Sequence, residues 1–262
     1  MTAQPTATSR TAAALAIDGV HKQFRGNHVL RGASFTIARG CITALIGSNG
    51  AGKSTLLDII SGLLRADAGR ILVNGRDVTR AAPHRRARAG VARTFQHPRA
   101  FRSLCVRDCM LLGATAPASE GLMRNALRAL PGLGRPHEET TSVDDVLQTC
   151  RLARRARDRA ADLTYGEQKL LMLAQVLAAD GDILCFDELC AGLEPGAVDH
   201  VAGILRGLAR KGKTVLFVEH NLALVRDLAD RAIFLHQGTA YREGPTEAVL
   251  GDREVVELYL GA

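Results

Sequence analysis

Long apolar runs are missing from this chain of 262 residues. No stretch approaches the ~18–20 consecutive apolar residues that a bilayer-spanning helix needs. The first ten residues hold no apolar core of the kind a secretory signal requires. A disordered lead-in over residues 1–13 and a cytoplasmic protein are expected. Aromatic side chains make up 4% of the residues and none is tryptophan. None interleaves the arginines either, so the stacking surface that single-stranded nucleic acid requires is not expected. Six cysteines occur, at 41, 105, 109, 150, 185 and 190, and no two form a C-x-x-C pair. With no histidine or second pair nearby to complete a zinc site, they read as reduced structural thiols. Cys41 and Cys185 fall within expected buried strands, and Cys105 and Cys109 are placed to share a helix face. No internal repeat is visible.

What remains is ordinary globular composition, 47% hydrophobic and 23% charged, with a formal net charge of +7. Two basic clusters account for much of that excess. Arg85, Arg86, Arg88 and Arg93 form one, and Arg151, Arg154, Arg155, Arg157 and Arg159 the other. Solvated helix faces are the expected reading of both. An anionic membrane surface or an acidic partner is the alternative, and nucleic acid is disfavoured.

Residues 47–54 read Gly-Ser-Asn-Gly-Ala-Gly-Lys-Ser, a full G-x-x-x-x-G-K-[ST] match. A short apolar run over residues 41–46 precedes it, and residues 55–64 continue with helical spacing. Strand, glycine loop and helix is the context in which this motif binds phosphate. Gly47, Gly50 and Gly52 let the backbone N–H groups of Ser48, Asn49, Ala51 and their neighbours up to Thr55 turn toward anionic oxygens. The helix N-terminus adds its dipole. Lys53 is placed to reach the outer phosphates and the Ser54 hydroxyl to ligate Mg²⁺. A nucleoside triphosphate is the implied ligand.

A second apolar run over residues 183–186 ends in Asp187 and Glu188. A buried strand there delivers Asp187 to the sheet edge beside the phosphate loop, as a support for Mg²⁺, and Glu188 to polarise an attacking water. Residues 214–219 form a third such run. Strands alternating with helices indicate an α/β fold with a parallel sheet covered on both faces. The segment from about Ala13 to Arg39 alternates apolar and polar residues, and residues 70–78 carry an Asn-Gly turn signal. Together these predict a small antiparallel sheet. Residues 163–168, Leu-Thr-Tyr-Gly-Glu-Gln, form a capping box with Thr164 as N-cap and Glu167 three residues on. The helix after it carries apolar residues at Leu170, Leu173, Ala174 and Leu177. A capped helix N-terminus is also an anion site, and it makes sense as a site that closes on a nucleotide held by another subunit.

Taken in order, these motifs resemble the ATP-binding cassette (ABC) ATPases, over nearly the whole chain from about Leu15 to Leu260. The Leu-Thr-Tyr-Gly-Glu segment is similar to that family's signature sequence. The resemblance implies a P-loop NTPase parallel-sheet core, an N-terminal antiparallel β subdomain and an inserted α-helical subdomain at about 97–165, within one domain over 14–262. It implies that Phe24 stacks on adenine and that Gln96 links the nucleotide and its metal to a membrane subunit. It implies that His220 contacts the γ-phosphate, and that Thr164, Gly166 and Glu167 complete the neighbour's site in a head-to-tail dimer. ATP and Mg²⁺ are the implied ligands. The implied partners are transmembrane permease subunits, a second identical or related ATPase and, indirectly, a periplasmic or extracellular solute-binding protein. The implied location is the cytoplasmic face of the membrane, as a peripheral subunit.

Residues 92–96, the Tyr-Gly-Glu-Gln signature, residues 191–195 and residues 218–222 further resemble the ATPases of branched-chain amino-acid uptake and their urea and amide relatives. Thr164, Tyr165, Leu189 and Glu194 depart from the commonest pattern. A soluble cofactor-assembly ATPase of the same family is the alternative reading. A silent ATP-binding partner is a third, weakened by the presence of both Glu188 and His220.

Overall fold

The computed structural model describes residues 13–94, 103–115 and 142–260. These fall into two compact units, one formed by the chain up to Arg93 and from Asp182 onward, the other by Thr94–Gly181. Residues 1–12 of the expected lead-in lie outside the described residues, and Ala13 already opens the first strand.

In the first unit, β1 (Ala13–Phe24) and β2 (Asn27–Ala38) pair antiparallel, and β1 pairs on its other side with β4 (Ala68–Val73). Along β2 the buried residues Ala33, Phe35 and Ile37 alternate with more exposed neighbours, the period-two pattern of a sheet with one face in the core. Asn74 and Gly75, at φ 50° and 77°, turn β4 into β5 (Arg76–Asp77). Positive φ at both turn residues is the geometry an Asn-Gly pair supplies most readily. The small sheet runs β2-β1-β4-β5.

The larger sheet has the order β10-β9-β3-β8-β7-β6. Its central strands are β3 (Ile42–Ile46), β7 (Ile183–Asp187) and β8 (Thr214–Val218), each buried throughout. Continuous burial is what parallel strands covered on both faces show, and it is why these segments read as unbroken apolar runs. β6 (Val91–Arg93) and β9 (Arg231–His236) join in parallel, and β10 (Thr239–Pro245) closes one edge antiparallel. Helix α1 (Lys53–Ser61) buries Leu56, Leu57, Ile59 and Ile60 in a core shared with Leu15, Phe35 and Ile37 of the small sheet and Leu45 of β3.

Helix α2 (Pro83–Arg88) carries Arg85, Arg86 and Arg88 of the first basic cluster, and here the expectation of a solvated face is corrected. Arg86 is fully buried, donating to the carbonyls of Ile59, Ile60, Thr79 and Ala81. Ile59 and Ile60 lie in the last turn of α1, where the Gly62 N–H reaches only the Ile59 carbonyl, at 3.2 Å, and the dipole favours a cation. Arg86 is thus the C-terminal cap of the phosphate-loop helix. Gly62 ends that helix at φ 83°, and a Cβ there would stand 3.0 Å from the Arg86 side chain. Arg93 is also buried, whereas Arg85 and Arg88 are exposed.

Among the described residues, the second unit holds α3 (Val106–Thr115), α4 (Val143–Thr149), two short 3₁₀ turns (Ala153–Arg155 and Ala160–Asp162) and α5 (Tyr165–Ala178). Cys105 and Cys109 do not share a helix face. Cys105 precedes α3, where its Sγ accepts the Asp108 N–H at 3.4 Å, while Cys109 is buried in the helix. In α5 the buried residues are Leu171, Met172, Leu173, Ala174 and Val176, so Leu170 and Leu177, expected on the apolar face, are only half-buried. The second basic cluster is a solvated surface at Arg151, Arg154, Arg157 and Arg159, with Arg155 half-buried.

All six cysteines are free thiols. Burial pushes Cys150 and Cys185 up to about 12, so both stay protonated and act as small apolar groups. Cys41 lies just ahead of β3, half-buried, and is not inside the strand as expected. No helix among the described residues is long and apolar enough to cross a membrane.

Candidate functional site

The phosphate loop leaves the end of β3 and turns into α1 at Gly52, whose φ of 101° makes it a left-handed N-cap. A Cβ on Gly52 would meet Leu30 Cδ2 at 2.9 Å and Val29 O at 3.1 Å, and one on Gly47 would come within 2.2 Å of Leu235 O. Side chains at these two positions are therefore excluded by contact as well as by conformation. Ser48 is half-buried, Asn49 and Gly50 are exposed at the loop crest, Ala51 is buried, and Ser54 and Thr55 are half-buried in the first helical turn.

Lys53 lies inside this loop, 7% exposed. Its Nζ donates to Gly47 O at 2.7 Å and to Ser48 O at 2.9 Å, so the loop is wrapped around an ammonium group. Burial lowers its pKa, and the negative charges of Glu188 and Asp187 oppose that shift. Those two acids thus lie within the electrostatic reach of the loop lysine.

Their position is set by the sheet. Asp187 is the last residue of β7 and pairs in register with Val218, the last of β8. Neighbouring parallel strands deliver the residues after their C-terminal ends to the same edge, which in α/β sheets is where ligands bind. Asp187 is buried, while Glu188 is exposed with its N–H donating to Val218 O at 3.0 Å. Glu188 has φ 49°, a left-handed conformation unusual for a residue with a Cβ. From the end of β8, His220 brings Nε2 to 3.1 Å from Glu188 Oε1.

Two neighbours set His220 in place. Buried Glu219 accepts the Cys190 N–H at 2.9 Å, tying the loop after Glu188 to the end of β8. Asn221 caps α6 (Leu222–Leu228) by accepting the N–H groups of Ala223 and Leu224. The Asn221 cap was readable as a polar residue before a helical pattern. Glu219 was not, since nothing local marks a strand-end carboxylate as buried.

Ser54 and Asp187 offer a hydroxyl and a carboxylate oxygen, the hard donors that Mg²⁺ takes, and the buried Asp187 carboxylate faces the field of Lys53. This donor set fits a magnesium ion. Phe24 ends β1 at the hairpin formed with Arg25 and Gly26, 44% exposed, with Lys22 Nζ 5.4 Å from its ring centroid. Gln96 lies outside the described residues.

The signature segment belongs to the second unit. Thr164 Oγ accepts the Glu167 N–H at 3.2 Å and Glu167 Oε2 accepts the Thr164 N–H at 2.8 Å, a complete capping box. Tyr165 is exposed and Gly166 half-buried. Arg155 Nε donates to Glu167 Oε1 at 2.9 Å, a partner that sequence spacing did not indicate. The Thr164 N–H, with Arg155 adding to it, holds the Glu167 carboxyl below its ordinary value.

A family model described as ABC transporter matches residues 30–191. The chain is 34% identical to a probable ABC transporter ATP-binding protein of Azorhizobium caulinodans, over 94% of this chain and 83% of that protein. It is 31% identical to a probable branched-chain amino acid transport ATP-binding protein LivG of Methanocaldococcus jannaschii, over 94% and 97%. The solved structure of a nucleotide-free ATP-binding cassette from an ABC transporter superposes with a TM-score of 0.82 at 30% identity, covering 95% of this chain and 100% of that one. With a match over more than half its length and relatives aligned almost end to end, the chain belongs to the ABC transporter family, as an ATP-binding subunit whose ATPase activity powers transport.

Proposed function

We propose that this ATPase drives uptake of a branched-chain amino acid or a related small polar solute. It does so from the cytoplasmic face of the membrane, docked on transmembrane permease subunits that receive solute from a periplasmic or extracellular binding protein. The solute class is supported by the likeness to LivG over almost the full length of both chains.

The observation that carries the catalytic reading is the contact between His220 and Glu188 at the sheet edge that also launches the phosphate loop. In this reading the N–H groups over residues 47–55 cradle the phosphates and Phe24 stacks on adenine. Lys53 exchanges its two loop carbonyls for β- and γ-phosphate oxygens. Glu188 orients or deprotonates the attacking water, and His220 holds both Glu188 and the γ-phosphate. Ser54 and Asp187, with Gln96, would hold Mg²⁺, which when bound would neutralise charge on the β- and γ-phosphates. Thr164, Gly166 and Glu167 present a capped helix N-terminus to the γ-phosphate held by a second cassette, identical or related.

Reconstitution with the permease subunits in lipid vesicles tests this. Glu188→Gln is expected to slow ATP hydrolysis by roughly 10²–10⁴-fold while ATP still binds. Binding protein loaded with leucine, isoleucine or valine is expected to stimulate the wild-type rate. Stimulation only by a solute unlike both a branched-chain amino acid and a small polar relative such as urea or an amide overturns the solute class, and wild-type turnover by Glu188→Gln overturns the catalytic assignment.

A further inference from the structure

Arg93 closes β6, the strand that pairs in parallel with β7, opposite Cys185. Its side chain is 5% exposed, yet it stands in a run of the sequence that reads as a solvated basic face. One guanidinium nitrogen, Nη1, meets Asp58 Oδ1 at 2.5 Å and Ser61 Oγ at 3.4 Å. The other, Nη2, meets Asp187 Oδ2 at 3.4 Å. Asp58 belongs to α1, the helix that begins at Lys53. A single buried cation therefore joins the helix launched by the phosphate loop to the strand that ends in the metal-facing carboxylate.

The two contacts differ in kind. The bond to Asp58 is at the short end of charge-assisted geometry, whereas the one to Asp187 is looser than the ~2.7–2.9 Å of a tight pair. Arg93 is thus anchored on Asp58 and leans on Asp187. Lys53 Nζ, for its part, is engaged by Gly47 O and Ser48 O. A guanidinium in loose contact compensates Asp187 without competing fully for its oxygens. Carboxylates that ligate metals are generally held by such a hydrogen-bonded partner, and losing it typically costs about 10–100-fold in metal affinity.

We propose that Arg93 is a positioning residue for the magnesium site, a guanidinium anchored on Asp58 whose second contact orients the Asp187 carboxylate for the metal. This rests on the reading of Ser54 and Asp187 as metal ligands. Arg93 itself touches neither nucleotide nor metal. Replacing it leaves the phosphate cradle intact and weakens only the metal-dependent part of nucleotide binding.

The test measures binding of a fluorescent ATP analogue to the full chain, first in EDTA and then as Mg²⁺ is titrated in. Arg93→Gln is expected to leave affinity in EDTA within about twofold of wild type and to raise the Mg²⁺ midpoint by about tenfold. Arg93→Lys keeps the charge but loses the fork, and is expected to shift the midpoint about threefold. Asp58→Asn breaks the strut between α1 and β6 while leaving a cation beside Asp187. It is expected to lower Tm as Arg93→Gln does, with the midpoint within about twofold of wild type. If Arg93→Gln and Arg93→Lys both lower Tm and leave the midpoint unmoved, Arg93 is only a strut and the proposal is overturned. The same holds if Asp58→Asn shifts the midpoint as far as Arg93→Gln. A wild-type protein whose affinity does not respond to Mg²⁺ overturns the metal reading itself, a failure seen before any variant is made.

Discussion

His220 Nε2 stands 3.1 Å from Glu188 Oε1, a contact between residues just beyond the ends of two adjacent parallel strands. Glu188 reaches it in a left-handed conformation, φ 49°, which costs of order 1–3 kcal/mol for a residue with a side chain. Two bonds hold that geometry: Glu188 N–H to Val218 O at 3.0 Å and Cys190 N–H to the Glu219 carboxylate at 2.9 Å. The pair is therefore held in place by contacts within the fold itself. His220→Ala is expected to lower kcat for ATP hydrolysis by about 10²–10³-fold with a much smaller change in ATP affinity. Steady-state kinetics beside equilibrium binding separates the two, and an unchanged kcat would remove His220 from the catalytic set.

Lys53 offers a different kind of loss. Its Nζ is the point charge wrapped by the loop carbonyls, at 2.7 and 2.9 Å. A charge-assisted bond contributes about 1.5–3 kcal/mol, so Lys53→Ala should weaken ATP by about 10–100-fold. Calorimetry checks this, and unaltered affinity would sink the phosphate-loop assignment.

Arg86 predicts a loss of stability without a direct catalytic role. It is 1% exposed and its donors satisfy four backbone carbonyls, two of them at the end of α1. Arg86→Ala takes a donor from each of these carbonyls, leaving Ile59 O only the Gly62 N–H, and opens a cavity, a cost of roughly 3 kcal/mol. Arg86→Lys should recover only part of it, since a single ammonium cannot reach all four acceptors in the fork geometry. Urea unfolding of the three proteins is the measurement, and a midpoint unchanged in Arg86→Ala would show that water satisfies the carbonyls instead.

The contrast between Arg86 and the loop shows which features were legible before the fold was known. The phosphate loop, the Asn74-Gly75 turn, the Thr164–Glu167 capping box and the runs of β3, β7 and β8 are local patterns. Each has its physical cause within a few residues of chain. Arg86 and Arg93 have no such cause. The carbonyls that bury Arg86 and the carboxylates that bury Arg93 arrive partly from α1 and β7, far along the chain, so a run of arginines reads as solvated until those elements are placed. Glu219 and Arg155 were missed for the same reason, since their partners Cys190 and Glu167 lie across loops. Cys41 shows a smaller limit: an apolar run marks a strand but not its first residue.

Within the second basic cluster, neighbouring arginines should behave differently. Arg154 and Arg157 are exposed, so changing both to Glu should leave basal ATPase activity unaltered. Arg155 bonds Glu167 and Asp158, each at 2.9 Å. Arg155→Ala leaves the Glu167 carboxylate without its cation at the helix end assigned to an incoming phosphate. It should therefore raise KM for ATP, by about threefold given the partial exposure of the pair. Glu167→Gln removes the charge that Arg155 offsets, so in that background Arg155→Ala should have little further effect. Equal, additive losses in both backgrounds would show that the two residues act independently.

The shared site makes the sharpest demand. In the proposed head-to-tail arrangement, closure of two cassettes around ATP requires an intact γ-phosphate, so a Glu188→Gln protein that binds ATP without cleaving it should accumulate as an ATP-bound dimer. Ligand linkage sets the scale: at ATP about 100-fold above its Kd the closed form gains about 2.7 kcal/mol. Gly166 is half-buried in the first turn of α5, directly after Tyr165 and within the capping box that Thr164 and Glu167 close. Gly166→Asp places bulk and negative charge where that reading puts the neighbour's γ-phosphate, while an Asp in the first turn of a helix favours the helix itself. The double variant should keep its fold and its ATP affinity as a monomer, and lose the dimer. Gel filtration with light scattering, with and without ATP, reads this directly. A related second cassette is added if the protein alone stays monomeric. A dimer that survives Gly166→Asp removes the signature helix from the shared site, even with every assignment around Lys53, Asp187, Glu188 and His220 left standing.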